Sequence, residues 1–332
     1  MKMRTLGQLK TKISPIGIGA MSFSDFYGKA TTDHANEVLT MALDLGVNHI
    51  DTSNIYGMGV SEERIGEFLK KNPSAVNFFK IATKGGIERT SSGGNRFNNS
   101  REHLTKALDD SLRRLGVDSV ELYYVHRREH NKAIEGVTET LSNFVKQGKV
   151  RQIGYSEISP NSLIDANEIH PIAAIQSEYS LSTRYPELGL LQRSKSLDTA
   201  LVAFSPVGRS LLTDQPHSAE KVQSMPFLKE NPRFLSPNIE KNIAAAQKFR
   251  ELASDLGVTA AGLALAWLLN KDTHILPIPG TRSADRLKTM VEGSKLILSS
   301  EQLSAIENAL PVGWAFGDRY SVNQWIGPEK YS

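Results

Sequence analysis

Short runs of β-branched and aromatic residues alternate along this chain with longer stretches in which apolar positions return every three or four residues. The short runs predict strands at Ile16–Ile18, Val47–Asp51, Phe78–Thr83, Val120–His126, Val150–Tyr155, Ala173–Ser177, Ala200–Phe204 and Ile275–Pro277. The long stretches predict helices. Thr32–Leu45 is opened by Thr32 or Asp33 and closed by Gly46, and Ser61–Lys71 begins on a loose capping box. Ser100–Leu115 stops at Gly116, and Asn131–Gln147 stops at Gly148. Strand and helix in alternation argue for a parallel sheet, and eight strands in 332 residues predict an α/β (β/α)8 TIM barrel rather than a doubly wound open sheet. No linker-like stretch divides the chain, so residues 1–332 are expected to form a single domain.

Three segments fall outside a minimal barrel. Residues 2–14 predict a β-hairpin with Gly7 in its turn. Ser205–Pro237 holds five prolines and no period, which marks a long functional loop. Ser300–Leu310 predicts an extra C-terminal helix, followed by an aromatic stretch with Trp314, Phe316, Tyr320 and Trp325.

Composition narrows the chemistry. The chain has no cysteine, which excludes disulfides, thiolate nucleophiles and Cys-ligated metals. The formal charge of +3 is too small for a nucleic-acid binder, and the pairs Lys70-Lys71, Arg113-Arg114 and Arg127-Arg128 form no stripe. No run of about 18 apolar residues suggests a membrane span, and no signal-peptide core opens the sequence. The expected location is therefore cytoplasmic; nothing in the sequence speaks to oligomeric state.

In a barrel, catalytic groups collect where strands end at the C-terminal face. Asp51 ends the second strand, Lys84 the third and His126 the fourth, while Tyr56 sits in the loop after the second. Each alone has a plain structural explanation: a packed ring, a solvated charge, a core histidine, a turn cap. Together, one βα unit apart, they compose a proton donor. A phenol is a weak acid at neutral pH, and a neighbouring ammonium favours its phenolate. Lys84 is placed to supply that charge, Asp51 to keep it protonated, and His126 to orient a substrate oxygen. The group has neither a nucleophile–base pair nor a metal cluster. A proton donor alone reduces nothing, so a hydride-carrying cofactor is implied.

Asp51-Thr52-Ser53, Tyr56-Gly57, Lys84 and His126 resemble the Asp, Tyr, Lys, His tetrad of the aldo-keto reductase superfamily, and the resemblance runs from Gly17 to the helix after residue 282. It implies a (β/α)8 barrel closed at the bottom by a hairpin. The implied activity is metal-free, reversible reduction of an aldehyde or ketone by NADPH, with Tyr56 as general acid. The nearest-looking members are bacterial-type reductases of pyridoxal-like, aromatic or small aldehydes. The same fold also serves cofactor-binding regulatory subunits and alcohol or sugar dehydrogenases using NAD(P)+.

By the same resemblance Ser156, Glu157 and Gln176 contact the nicotinamide carboxamide, with Glu157 where many members have asparagine. Phe204 offers a ring to stack on nicotinamide, and Ser205, Pro206, Val207, Gly208 and Arg209 begin a loop over the pyrophosphate, so that Ser205–Pro237 is a candidate cofactor clamp. The N–H groups of Gly280, Thr281 and Arg282 precede a helix and suit phosphate, while Arg282 and Arg286 are placed for a 2′-phosphate. Thr289-Met290 stands where many members have an adenine-binding Glu-Asn pair. GIGAMS lacks the third glycine of a dinucleotide fingerprint. In the barrel reading Gly19, Ala20 and Met21 line the cofactor, and Phe23, Phe26, Tyr27 and Trp314 are candidates for the pocket wall. Arg127 and Arg128 are placed either to bind an anionic substrate group or to pair with nearby acids.

Overall fold

The structure, a computed structural model, describes residues 2–90 and 94–332. Eight parallel strands form one sheet: β1 (Ile18–Gly19), β2 (His49–Asp51), β3 (Lys80–Gly85), β4 (Val120–Val125), β5 (Val150–Ser156), β6 (Ile172–Glu178), β7 (Ala200–Phe204) and β8 (Ile275–Pro277), hydrogen-bonded in that order. The edges of this curled sheet meet. Gly17 and Gly19 donate their N–H groups to the carbonyls of Pro277 and Pro279, both at 2.9 Å, and so join β1 to β8. Closure leaves no sheet edge to cover.

Some strands run past their apolar patterns. β5 reaches Ser156 and β6 reaches Glu178, because the ladder continues through the register pairs Ser156–Gln176 and Glu178–Phe204. β3 begins later than expected because Ser74–Phe78 forms a short helix. It then runs on to Gly85, pairing Lys84 with Tyr124.

Alternation along the strands divides two cores. Ile50, Ile81, Tyr123, Val125, Ile153, Tyr155, Ile175, Leu201 and Ile275 face outward onto the helices. Ala82, Leu122, Tyr124, Ala174, Val202 and Leu276 fill the barrel, with Leu6 and Ile13 packed beneath them. Those two residues belong to the N-terminal hairpin, Arg4–Leu6 with Thr11–Ile13, which plugs the bottom as expected. Arg4 anchors it to the carbonyls of Leu269, Asp272 and Ile275. Gly154 faces the interior because a Cβ there would lie 2.7 Å from the Tyr124 ring, which crosses the barrel at that level.

The helices are set by local chemistry. Thr31, one residue before the predicted start, accepts from His34 N–H and caps Thr32–Leu45, which ends on left-handed Gly46. Ser100 caps Arg101–Leu115 in the same way. The expected capping box at Ser61 is absent: that helix, Val60–Lys71, starts from Gly59 with no side-chain cap. The helix expected at 131 begins at Ile134. The segment 205–237 is no bare loop. It holds the short helix Ala219–Gln223, three 3-10 turns and an apolar cluster of Leu211, Val222, Met225, Leu228 and Phe234, completed by Ile239 of the next helix. Ser300–Ala309 forms the predicted final helix on a complete capping box, Ser299 with Gln302. A second hairpin, Ile87–Arg89 with Asn95–Phe97, follows β3 and was not visible in the sequence pattern.

Candidate active site

Asp51, Lys84 and His126 stand in the inward-facing phase of β2, β3 and β4, directly above Ala82, Leu122 and Tyr124. Lys84 is fully buried and Asp51 is 2% exposed. The Lys84 ammonium donates to Asp51 Oδ1 and to the Thr52 carbonyl at 2.8 Å, and Asp51 Oδ2 accepts from Gln176 Nε2 at 2.8 Å. The chain past β2 stays tied to β3 through Thr52 N–H to Ala82 O and Asn54 N–H to Lys84 O. It then turns through left-handed Gly57 and Met58, which brings Tyr56 over the mouth. The Tyr56 ring lies edge-on to His126, with centroids 5.7 Å apart, and Lys84 Nζ is 5.3 Å from its centroid. All four predicted catalytic residues thus converge. A fifth, Ser53, was missed: its hydroxyl meets His126 Nδ1 at 3.0 Å and fixes the ring.

The electrostatics differ from the expectation at one point. Burial, and then Asp51, push the Tyr56 phenol well above its ordinary range, and the cation that opposes them is Arg127. Lys84 was expected to lower it; instead its charge is turned toward Asp51 and Thr52. Burial lowers the Lys84 affinity for its proton, and the Asp51 carboxylate works against that loss. His126 is held well below the usual imidazole range by burial, with Arg127 and Lys84 adding to the effect. The site therefore offers a protonated phenol and a neutral imidazole at neutral pH.

On the cofactor side, Ser156 and Gln176 are register partners at the ends of β5 and β6. Phe204, at the end of β7, is half-buried in the same inward phase. Among the described residues none accepts a hydrogen bond from the N–H groups of Gly280, Thr281 or Arg282. Arg282 donates instead to the carbonyls of Gly28 and Lys29, at 2.7 and 2.9 Å. Two residues from 205–237, His217 and Lys221, join this corner: burial, and then the charges of Lys221, Arg282 and Arg286, drop the His217 pKa to about 4. Met290 is packed in the core with Ile16 and Leu265, and Thr289 turns back onto the Arg286 carbonyl, so neither takes the place of an exposed polar pair.

A family model for the Aldo/keto reductase family matches residues 15–311. The chain belongs to this family. It is 35% identical over 312 residues to the aldo-keto reductase yakc [NADP(+)] of Schizosaccharomyces pombe, which covers 93% of this chain and 92% of that one. It is 33% identical over 316 residues to probable aldo-keto reductase 1 of Glycine max, covering 95% and 90%. Among solved structures it is similar to glycerol dehydrogenase AKR11B4 from Gluconobacter oxydans, with TM-score 0.81, 26% identity and coverage of 93% and 94%. The holo form of aldo-keto reductase AKR11C1 from Bacillus halodurans matches with TM-score 0.78, 26% identity and coverage of 94% and 97%.

Several residues of this aldo/keto reductase stand elsewhere than expected. The Glu157 carboxylate is engaged by both Arg319 Nη atoms, at 3.1 and 2.8 Å, and by Glu178 N–H, so it is committed to an ion pair rather than to the mouth. Arg209 is buried against Glu178 at 2.5 Å and also donates to the Arg319 carbonyl, so its charge is spent away from any pyrophosphate. Burial disfavours both guanidinium charges, but Glu157 and Glu178 outweigh it and raise their pKa values. Phe23 is packed in the outer core and is not a wall residue, and Ala20, expected along the cofactor, is fully buried in that same core. Trp314 donates to the Leu181 carbonyl at 2.9 Å and packs both on the barrel flank and, with Tyr27 and Phe227, on the 205–237 cluster.

The aromatic wall is built differently. Phe26 contacts Tyr56 at 6.0 Å and Phe227 at 6.5 Å, and Tyr320 continues the arc to Phe227 and Trp325. Tyr27 packs on the 205–237 cluster behind it. Tyr320 belongs to the aromatic stretch Trp314–Trp325, which the sequence offers as part of the substrate pocket, whereas Arg319, Phe227, His217 and Lys221 lie on segments with no period to single them out. Among the described residues there is no cluster of three or more metal-binding side chains, and no single helix is long and apolar enough to cross a membrane. A groove of about 580 Å³ between the helices Val60–Lys71 and Arg101–Leu115 is lined by none of the candidate site residues.

Proposed function

We propose that this aldo/keto reductase reduces an aldehyde or ketone to an alcohol with NADPH, and that Tyr56 donates the proton. The observation that carries this reading is the convergence of a protonated phenol, a neutral imidazole and a buried Lys84–Asp51 pair at one mouth. When bound, a nicotinamide cofactor supplies the hydride. Ser156 and Gln176 fit its carboxamide, and the unpartnered N–H groups before the helix Ala284–Gly293 fit a phosphate. Arg286 and Lys221 make no ion pair among the described residues and, with His217, favour a 2′-phosphate; the NADP(+) named for the fission yeast relative points the same way. Tyr56 passes its proton to the carbonyl oxygen as negative charge develops there. His126, positioned through Ser53, donates from Nε2 to the same oxygen when its Nδ1 accepts from the serine. Lys84 neutralises the Asp51 carboxylate, whose charge would otherwise oppose the phenolate that remains.

The same residues serve the reverse reaction, and the similarity to a glycerol dehydrogenase supports alcohol oxidation as the second reading. Purified protein is expected to consume NADPH with an aromatic aldehyde, followed as loss of reduced-cofactor absorbance. Tyr56→Phe should slow this by about 10²- to 10⁴-fold while cofactor binding, read by fluorescence, persists. Near wild-type reduction by the variant would sink the assignment.

A further inference from the structure

Four arginines crowd the mouth, and three are accounted for. Arg209 is paired with Glu178, Arg319 with Glu157, and Arg128 with Glu329 at 2.8 Å. Arg128 thus takes the second of its two sequence-based roles. Among the described residues Arg127 has no carboxylate partner. Its Nη1 donates to the His126 carbonyl at 2.7 Å and to Ser156 Oγ at 3.0 Å, and Nη2 makes only a long contact of 3.4 Å to the Tyr320 hydroxyl. Glu157, the acid that feels its charge, is already engaged by Arg319. Arg233 also lacks an acid, but it bonds to Thr183 and the Gly317 carbonyl, and its charged neighbours include no tetrad residue.

Arg127 therefore presents the Nε–Nη2 edge of its fork with donors to spare, next to His126 and within the field of Tyr56. That edge matches the two oxygens of a carboxylate. Its stem is held from behind by Gly327, where a Cβ would lie 2.9 Å from Arg127 Cδ and 2.7 Å from the Phe97 ring. The charge count has the same sense: Asp51, Glu157 and Glu178 are matched by Lys84, Arg319 and Arg209, and Arg127 is surplus.

We propose that Arg127 is a specificity-determining residue and that the preferred substrates are carbonyl compounds carrying a carboxylate. This rests on the reductase reading above. The Arg127 fork binds the carboxylate side-on while the carbonyl oxygen lies between Tyr56 and His126; the chemistry is the same two-electron reduction, with the carboxylate unchanged.

The test compares benzaldehyde with 3- and 4-carboxybenzaldehyde. Wild-type kcat/KM is expected to be at least about tenfold higher for one carboxylate isomer, mainly through KM. Arg127→Met should lower kcat/KM for that isomer at least about tenfold more than for benzaldehyde, and Arg127→Lys should fall between. Arg127→Glu should instead favour an aldehyde bearing a quaternary ammonium group. Equal losses for charged and neutral aldehydes in Arg127→Met, or no wild-type preference, would overturn the proposal while leaving the reductase reading intact. Equilibrium binding of benzoate and terephthalate, read by tryptophan fluorescence, separates the two ideas. If no aldehyde is turned over, the reductase reading fails. Carboxylate binding that Arg127→Met abolishes would then still support anion recognition, and binding that survives the substitution would end it.

Discussion

Two sets of buried ion pairs sit at the same end of this barrel and differ in where their partners come from. Asp51 and Lys84 both stand on neighbouring strands, β2 and β3, with Lys84 two residues past Ala82, the register partner of Asp51. Glu157 and Glu178 stand at the ends of β5 and β6, but their cations arrive from outside the barrel: Arg209 from the segment after β7, and Arg319 from the stretch after the last helix. A pair built from strands holds its geometry whatever the loops do. A pair built from a strand end and a loop fastens the loop. Arg319 is the centre of that fastening, since Arg209 and Asn231 both donate to its carbonyl and Arg233 N–H reaches the carbonyl of Asp318. The same kind of interaction thus joins two strands in one place and fastens loops in the other.

The largest expected effect breaks the fastening. Arg319→Met leaves Glu157 buried without its cation and should destabilise the protein by about 3–5 kcal/mol, read by denaturant unfolding. Adding Glu157→Gln should recover part of that loss. A variant as stable as wild type would mean the closing segments are held by packing alone. Next, Lys84→Met should lower kcat/KM by about a hundredfold or more, a larger catalytic loss than Arg319→Met produces. The reverse ranking would erase the distinction between the two pairs.

Acid should separate them further. His49 and His126 are buried with depressed pKa values, mainly through desolvation, and His217 sits near 4. The unfolded chain therefore binds protons that the native one refuses. The stability they contribute is full above about pH 6.5 and is lost as pH falls below it, by at most about 1.4 kcal/mol per pH unit for each buried histidine. Glu157, held below the carboxylate range by Arg319 against the cost of burial, is fully ionised at pH 6.5 and starts to contribute to acid loss only below about pH 4.5. A melting temperature flat from pH 7 to 5 would contradict the histidine assignment. The smallest effect concerns the cofactor corner. Arg286→Ala should raise the NADPH dissociation constant about tenfold more than that of NADH, by removing one charge-assisted contact. Equal changes would remove the 2′-phosphate role.

Much of the strand-borne half was legible in the sequence. Asp51, Lys84 and His126 each interrupt an apolar run at its end, and they share the inward phase of the residues before them, so alternation alone places them together. The cap at Ser100 and the stop at Gly46 were equally local. The loop-borne half was not legible. Arg319 meets Glu157 across 162 residues, and nothing near either position announces the other. The prolines of 205–237 concealed a short helix and an apolar cluster because five-residue helices leave no period to read. Glu157 read as a cofactor contact because position suggested it; only the arrival of a distant guanidinium shows how its carboxylate is used. Tyr56 was found for its place, but its proton affinity depends on Arg127, whose influence spacing could not show.

The shared knot at Arg319 bears on how new substrate preferences can be acquired. The segment after β7 and the aromatic stretch 314–325 both shape the mouth, yet each is anchored through the other. Randomising one alone would produce many variants that lose activity through misplaced neighbours rather than through a poorer fit to the substrate. A library that keeps Glu157, Glu178, Arg209 and Arg319 constant, and varies Phe26, Phe227 and Tyr320 jointly, would sample recognition separately from assembly.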